Sequence, residues 1–231
     1  MKYLNIRTGR FISRPNRFIA HVDIDGREEV VHVKNTGRCR EIFIPGTEVA
    51  LEESDNPNRK TRFDLVGAKK EGIGWINVDS QAPNKVVKEW LAESLEAKEI
   101  FPGVTYIKPE YTFGKSRVDF YMEGEGRKIL MEIKGVTLER EKIGYFPDAP
   151  TERGVKHLDE LTEASKQGYE CWIGFVIQME GVDVVYPNET THPEFKTAMD
   201  RAIEAGVGVI YLGCSVTPEE LKIDRVKIYK K

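Results

Sequence analysis

Three charged side chains interrupt two apolar segments, and their types and spacing suit the hydrolysis of a phosphodiester. Asp119 lies in the run 117–121, and Glu132 and Lys134 lie in the run 129–135. Two-residue alternation along a strand places Glu132 and Lys134 on the same face. Because only a short turn-like segment, 123–126, separates the two runs, adjacent strands would bring Asp119 close to that pair.

A phosphodiester is an anion, so its hydrolysis needs a cation that neutralises developing charge and makes a hydroxide available near neutral pH. Mg²⁺ or Mn²⁺ prefers hard oxygen ligands and usually keeps several waters. Asp119 and Glu132 can supply two carboxylates, and Ile133 can supply a backbone carbonyl. Lys134 can orient or deprotonate the attacking water and stabilise the pentacovalent state. Gly135 would allow the substrate backbone to approach closely.

The alternative is that these charges form a buried or edge ion pair with a structural role alone. Buried pairs add little net stability over apolar residues, which favours function. An Asp followed about a dozen residues later by Glu-x-Lys also resembles the pattern of PD-(D/E)xK nucleases. Glu89 and Glu93, one helical turn apart, are possible further acids for the metal, although surface solvation is the commoner fate of a helical glutamate.

The elements around these residues predict a mixed sheet flanked by helices. A helix over 85–100, with Asn84 as its N-cap, precedes strands at 104–113, 117–122 and 128–136. A helix capped by Thr151 then leads to a buried strand at 171–177, a third helix at 193–205 and a strand at 207–214. This order is that of restriction-endonuclease-like domains. At the start of the Thr151 helix, Arg153 and Lys156 can hold a DNA phosphate, or they can simply be solvated.

The first part of the chain predicts a small barrel. Residues 17–35 form a hairpin pattern around Asp25-Gly26, and further short strand patterns follow at 48–51, 63–68 and 74–78. An OB-like barrel is the most economical interpretation. We therefore expect an α/β protein of two domains, with an OB-like nucleic-acid-binding domain at 1–83 and a nuclease-like domain at 84–231.

The basic residues of this first part suggest nucleic-acid binding. Residues 1–19 carry five basic side chains and no acid. A phosphate-tracking groove would be lined by Arg10, Arg14, Arg17, Arg38 and Arg40, with Phe11 or Phe18 available for base stacking. The alternative is an ordinary solvated surface with both phenylalanines in the core. The loop 35–40 can hold an anion on its backbone amides, or it can be a plain turn.

Composition adds weaker constraints. The chain has 231 residues, 40% of them hydrophobic, and a net charge of −3, which alone does not mark a nucleic-acid binder. No apolar run approaches the roughly 20 residues of a membrane helix, so we expect no membrane association. Three widely spaced cysteines argue against a disulfide framework and fit a reducing cytoplasm. The sequence leaves the oligomeric state open.

Several longer motifs resemble the SfsA family (sugar fermentation stimulation protein A). They are Asn35-Thr36-Gly37, Ala82-Pro83-Asn84, Ser116-Arg117-Val118-Asp119-Phe120, Met131-Glu132-Ile133-Lys134-Gly135-Val136-Thr137-Leu138 and Phe146-Pro147-Asp148-Ala149-Pro150-Thr151-Glu152-Arg153-Gly154-Val155-Lys156-His157-Leu158. The resemblance implies an N-terminal OB fold, a PD-(D/E)xK nuclease-like domain and DNA binding without strong sequence preference. By position, Asp119, Glu132 and Lys134 match the nuclease core, although Val118 replaces the proline of "PD".

Two functions follow as hypotheses. The first is a metal-dependent nuclease, using Mg²⁺ or Mn²⁺, that hydrolyses DNA, with RNA as a further candidate substrate. The second is a non-catalytic, non-specific DNA-binding regulator of sugar metabolism genes on a nuclease-like fold. The complete set of Asp119, Glu132 and Lys134 favours the enzyme, because a pure binder has no need of two carboxylates facing a polyanion.

Overall fold

The N-terminal part of the chain folds into a closed barrel. The computed structural model describes residues 1–35, 37–114 and 116–229; Thr36, part of the predicted anion-binding loop, lies outside them. The first strands are β1 (Ile6–Asn16), β2 (Ile19–Ile24), β3 (Arg27–Val33), β4 (Glu48–Glu53), β5 (Phe63–Lys70) and β6 (Gly74–Asn77). Strand β1 pairs with β2 and β4, and a parallel β3–β5 pairing closes the ring. This five-stranded connectivity confirms the predicted OB-like barrel.

Local sequence explains the hairpin of this barrel. Asp25 and Gly26 both have positive φ values, 54° and 79°, as a two-residue hairpin turn of type I′ requires. Strands β2 and β3 are therefore joined in antiparallel register, from Ile19 opposite His32 to Ile24 opposite Arg27. The predicted hairpin is confirmed.

The C-terminal part contains a six-stranded mixed sheet with helices on both faces. Its helices are α1 (Ala82–Glu93), α2 (Leu95–Ile100), α3 (Glu152–Lys166) and α4 (Pro193–Glu204). Its strands are β7 (Tyr106–Phe113), β8 (Ser116–Gly124), β9 (Arg127–Val136), β10 (Leu138–Arg140), β11 (Ile143–Phe146), β12 (Glu170–Ile177), β13 (Val185–Pro187), β14 (Gly208–Val216) and β15 (Leu221–Tyr229). The order is β15-β14-β12-β9-β8-β7, with β9, β12 and β14 parallel. The predicted fold class is confirmed.

Two helices position the central strands. Leu158 and Leu161 of α3 pack into one core cluster, which also covers one face of the sheet. Val86 and Val87 of α1 pack into a second cluster with Met131 on the other face. The side chain of Thr151 accepts a hydrogen bond from the N–H of Gly154, so the predicted cap is confirmed. Strand β9 is consequently buried on both faces.

The predictions for the first helix were partly wrong. The expected single helix over 85–100 is split, because Ser94 adopts an extended conformation and caps α2 through the N–H of Ala97. Asn84 is not an N-cap, since α1 already begins at Ala82 with a proline in its first turn. The edge strand β15 and the small sheet β10-β11-β13 were not predicted. None of the helices in the described ranges is long and apolar enough to cross a membrane.

Polar contacts connect the two parts of the chain. The side-chain amide nitrogen of Gln178 donates to the side-chain oxygen of Asn77 at 2.8 Å, and both residues are buried. The Lys70 ammonium lies 2.6 Å from the carboxylate of Glu139. These contacts hold the barrel against the C-terminal part of the chain.

Candidate metal and nucleic-acid site

Asp119 lies where two paired strands separate. The register of β8 and β9 runs from Gly124 opposite Arg127 to Phe120 opposite Met131, and Asp119 is the next residue of β8. Its Oδ2 accepts the backbone N–H of Ile133 at 2.7 Å, and its Oδ1 accepts the side-chain N–H of Asn84 at 2.8 Å. The carboxylate therefore replaces the main-chain partner that β8 no longer offers to β9.

The same geometry orients the carbonyl of Ile133. In an antiparallel ladder, the N–H and C=O of one residue face the same neighbouring strand. Because the N–H of Ile133 is directed at Asp119, its carbonyl faces that side of β9 as well. The end of the β8–β9 ladder thus presents one carboxylate and one backbone carbonyl together.

Glu132 and Lys134 both lie on the face of β9 that α3 covers, and this shared face is what alternation along a strand predicts. Lys134 Nζ donates to Glu132 Oε1 at 2.7 Å, and the two side chains are 12% and 5% exposed. His157 of α3 contacts the same Oε1 through Nδ1, which also lies 3.3 Å from Lys134 Nζ. Arg153 Nε donates to His157 Nε2 at 3.2 Å. Glu132 is therefore held by two partners that share one of its oxygens.

The two carboxylates have opposite pKa shifts. Burial, followed by the negative charge of Glu132, raises the pKa of Asp119 to about 6, although the bonds from Ile133 and Asn84 act against this. Burial would also raise the pKa of Glu132, but the hydrogen bond to His157 and the charge of Lys134 lower it overall. Within the described residues, the Lys134 ammonium pairs with Glu132, whereas Asp119 has no ion-pair partner and feels the charge of Lys134 only as a smaller, lowering effect on its pKa.

These residues fit a hard divalent cation that keeps most of its waters. Within the described residues, no three or more His, Cys, Asp or Glu side chains are grouped as a metal-binding cluster. Asp119, Glu132 and the carbonyl of Ile133 are hard oxygen donors, which is the class of ligand that Mg²⁺ prefers. The pKa of Asp119 is raised first by its burial and second by the negative charge of Glu132, and a bound cation would oppose both effects.

The predicted further acids do not lie at this site. Glu89 is exposed and pairs with the N-terminal ammonium at 2.7 Å, and Glu93 is also exposed. Asn84 is the residue of α1 that contacts Asp119. At about 100° per residue, Glu93 is on the opposite side of the helix from Asn84, and Glu89 is about 140° away. The helix consequently supplies an amide to the site instead of a carboxylate.

Comparison with known proteins identifies a family that covers nearly the whole chain. The model of the sugar fermentation stimulation protein RE domain matches residues 81–220, and that of the SfsA N-terminal OB domain matches residues 12–78. The chain belongs to the SfsA family. It is 53% identical to a sugar fermentation stimulation protein homolog of Ruminiclostridium cellulolyticum, over 97% of each chain. A homolog of Desulfitobacterium hafniense (strain DSM 10664 / DCB-2) is also 53% identical, over 96% of this chain and 95% of its own.

A solved structure agrees with this membership. Pyrococcus furiosus SfsA in complex with Ca²⁺ superimposes with a TM-score of 0.84 at 27% identity, covering 100% of this chain and 95% of that one. The similarity extends over both the barrel and the mixed sheet. The fold of this SfsA chain is therefore a family property.

The predicted basic residues of the SfsA chain fall into different settings. Arg14 is half-buried, and its guanidinium donates to the carbonyls of Gly37, Arg38, Arg17 and Asn35 at 2.6–3.0 Å. All four bonds are internal, so Arg14 holds the loop after β3 in place. These bonds favour a structural role for Arg14, and its predicted contact with DNA stays a prediction.

The other basic residues remain exposed. Arg10 donates to the carbonyl of Gly46 at 3.3 Å and stays in solvent. The remaining exposed residues of the predicted set are Arg17, Arg38, Arg40, Arg153 and Lys156. Lys156 lies 3.6 Å from the carboxylate of Glu160, one turn along α3. All of these can still meet a phosphate.

The two phenylalanines differ in the same way. Phe11 is 3% exposed and stacks on Phe43 in the barrel core. Phe18 is 52% exposed at the tip of the β1–β2 hairpin, with the guanidinium of Arg17 over its ring at 5.8 Å. Only Phe18 is placed to stack on a base.

A groove of about 420 Å³ lies between the barrel and the mixed sheet. Its lining includes Arg17 and Asn35 from the barrel side and Gly135, Thr151 and Gln178 from the sheet side. Gly135 was expected to admit substrate backbone, but a Cβ there would lie 2.4 Å from Gln178 Oε1 and 2.8 Å from a ring carbon of Pro83. The close approach is made by the protein itself, and the prediction is corrected.

Sequence inspection missed two contributors, Asn84 and His157. Asn84 was assigned to a cap, and only the three-dimensional position of α1 reveals its contact with Asp119. A signal for His157 was present, since Arg153 and His157 are four residues apart on a helix whose start Thr151 marks. Such spacing places two side chains on one face.

Proposed function

We propose that this SfsA-family protein is a metal-dependent nuclease that hydrolyses phosphodiester bonds of DNA with little sequence specificity. The observation that carries the proposal is the grouping of Asp119, Ile133 and Glu132 around the end of the β8–β9 ladder, with Lys134 bonded to Glu132. The assignment of residues 1–83 as the nucleic-acid-binding domain and 84–231 as the nuclease domain is part of the same proposal. RNA is a second substrate to test.

The donor set and the relatives support a metal-dependent reaction. The Pyrococcus furiosus relative is described in complex with Ca²⁺, a hard cation that takes oxygen ligands. Asp119, Glu132 and the Ile133 carbonyl are ligands of that class. Under our proposal they hold Mg²⁺ or Mn²⁺ in this chain, and the cation supplies neutralisation of phosphate charge and a more acidic water.

The remaining steps belong to the protein. An ammonium has three N–H donors and no acceptor, and Lys134 uses one of them on Glu132. The others are available to orient the attacking water and to stabilise the negative oxygens of the pentacovalent state. The N–H of Ile133 and the amide of Asn84 keep Asp119 oriented throughout.

The path of the nucleic acid follows from exposure and charge. Arg17 lines the groove, and Phe18 is its exposed neighbour in the chain. Arg153 and Lys156 lie in the first turns of α3, directly after Thr151, which also lines the groove. A strand that stacks a base on Phe18 would pass along this groove towards Gly135, next to Lys134. Arg38 and Arg40 extend the basic edge of the barrel.

Cleavage of plasmid and of labelled single- and double-stranded oligonucleotides tests the proposal, with Mg²⁺, Mn²⁺ or EDTA. We expect metal-dependent cleavage, reduced about 100-fold or more by Asp119→Asn, Glu132→Gln or Lys134→Gln. Glu89→Gln is the matched control, because it removes an exposed acid outside the site. Absence of cleavage in every metal, or full activity of all three variants, would refute the nuclease.

The second candidate is a non-catalytic DNA-binding regulator of sugar metabolism genes. The names of the relatives, which refer to stimulation of sugar fermentation, favour it. This candidate predicts DNA binding that is unchanged by EDTA and no strand scission under any condition. Binding measured in parallel with the cleavage assay therefore separates the two functions.

A further inference from the structure

His157 lies between the metal-site carboxylate and an exposed arginine. Its ring is 7% exposed, with Nδ1 against Glu132 Oε1 and Nε2 against Arg153 Nε. Neither Arg153 nor His157 contacts Asp119 among the bonds of the described residues. Arg153 and His157 thus form a hydrogen-bonded chain that ends at Oε1 of Glu132.

The arginine decides which nitrogen of His157 carries the proton. A guanidinium has only N–H donors and is not deprotonated in proteins. Its Nε–H, 3.2 Å from Nε2, therefore needs a lone pair on Nε2. A neutral imidazole then carries its hydrogen on Nδ1, and this N–H donates to Glu132 Oε1. Lys134 finds no lone pair on Nδ1, so its bond goes to Oε1, at 2.7 Å.

We infer that Arg153 and His157 are a positioning pair that fixes the orientation of Glu132 for metal binding. With Nδ1–H and the Lys134 ammonium both on Oε1, the carboxylate plane is set and Oε2 is the oxygen left for the cation. The inference rests on the proposed metal-ligand role of Glu132. It also gives Arg153 a function besides phosphate contact.

The expected size of the effect follows from other metal sites. Residues that hydrogen-bond a metal ligand from outside commonly change metal affinity or activity by about 10–100-fold. In this protein the usual arrangement is reversed, because a histidine orients a ligating carboxylate. The effect should therefore appear in metal affinity before any substrate is added.

The proton position can be measured directly on the metal-free protein. ¹⁵N NMR of the imidazole should show the proton of His157 on Nδ1 in the wild type. In Arg153→Met, which keeps the aliphatic stem and removes the donor, the Nε2–H form should become populated. A wild-type His157 with its proton on Nε2 would overturn the inference whatever the protein does to DNA.

Two substitutions of His157 distinguish positioning from simple packing. The amide nitrogen of Asn can occupy the place of Nδ1, whereas that of Gln reaches the place of Nε2. Mn²⁺ titration without DNA should show affinity within about threefold of wild type for His157→Asn and a loss of about 10–100-fold for His157→Gln. Equal losses in both variants, with folding verified by circular dichroism, would contradict the inference.

The arginine completes the test. Arg153→Met should weaken Mn²⁺ binding in the wild type, but not in the His157→Asn background, where no tautomer has to be fixed. Lys166→Gln, an exposed charge removed at the other end of α3, is the control and should change nothing. If Mn²⁺ affinity changes among these variants as expected but the wild type cleaves no nucleic acid, the proposed nuclease activity is refuted and the positioning pair is supported. A wild type without Mn²⁺ affinity would overturn both.

Discussion

Arg14 offers the sharpest separation between a structural and a DNA-binding arginine. Its guanidinium donates to four backbone carbonyls, of which those of Gly37 and Asn35 are partly buried, at 2.9 and 2.6 Å. It also lies over the ring of Phe43, 5.1 Å from the centroid. Arg17, three residues later, is exposed, and its guanidinium makes no comparable set of hydrogen bonds to other described residues.

We expect Arg14→Met to lower the free energy of unfolding by about 3 kcal/mol. Hydrogen bonds to a charged group contribute about 1.5–3 kcal/mol each when partly buried, and the Gly37 and Asn35 carbonyls lose such bonds. The two exposed bonds, to Arg38 and Arg17, should add little because water replaces the lost donor. For a chain of this size the change corresponds to a melting temperature lower by roughly 6–12 °C.

Urea denaturation and DNA binding at several salt concentrations provide the measurement. Arg14→Met should reduce stability and leave the salt dependence of DNA affinity unchanged. Arg17→Met should keep stability within about 0.5 kcal/mol and reduce the slope of log K against log salt by about 1. If Arg14→Met were as stable as the wild type and lowered the slope, Arg14 would be a phosphate contact and our structural assignment would be refuted.

Two further predictions concern the barrel. Asp64 is buried, and burial would raise its pKa, but the hydrogen bonds from Arg59 and His32 and the charge of Lys34 together outweigh burial, so that the pKa falls to about 2. Because the folded pKa is depressed, the ionised Asp64 should contribute about 2 kcal/mol to the free energy of unfolding above pH 4, and this contribution should be lost as the pH falls towards 2. Asp64→Asn should remove it at pH 7, so that the stabilities of wild type and variant, measured by urea denaturation, converge towards pH 2. Phe11→Ala should cost about 3–5 kcal/mol of stability, whereas Phe18→Ala should be near neutral in stability and weaken oligonucleotide binding by about 1–3 kcal/mol in a fluorescence titration. Equal effects of the two phenylalanine changes on either measurement would contradict the placement.

Elements with strong local signals were predicted correctly. The Asp25-Gly26 hairpin and the Thr151 cap depend on a few neighbouring residues, and both are present. Apolar alternation likewise placed Glu132 and Lys134 on one face of β9. In each case the interaction that fixes the element lies within a few residues along the chain.

Contacts between segments that are distant in the sequence could not be predicted from local patterns. Asn84 looked like a cap because its type is common there, yet the site for its amide is created by Asp119, 35 residues later. Arg14 was predicted to contact DNA because its charge is evident from the sequence. The carbonyls that accept its hydrogen bonds belong to a loop more than 20 residues away, and the sequence does not reveal them. Spacing along the chain does not encode which helix face meets which strand.

The two carboxylates also show why the site is better explained by function than by stability. Glu132, Lys134 and His157 bring polar groups into a buried layer, where a pair of charges seldom improves on apolar residues. Among the described residues, the donors to Asp119 are the neutral N–H groups of Ile133 and Asn84, and its pKa is raised to about 6. A chain selected for stability alone would have paired Asp119 with a cationic side chain or removed it. Among the described residues, Asp119 is a half-buried carboxylate without an ion-pair partner beside a paired one, which is the arrangement expected where a cation is bound from solution.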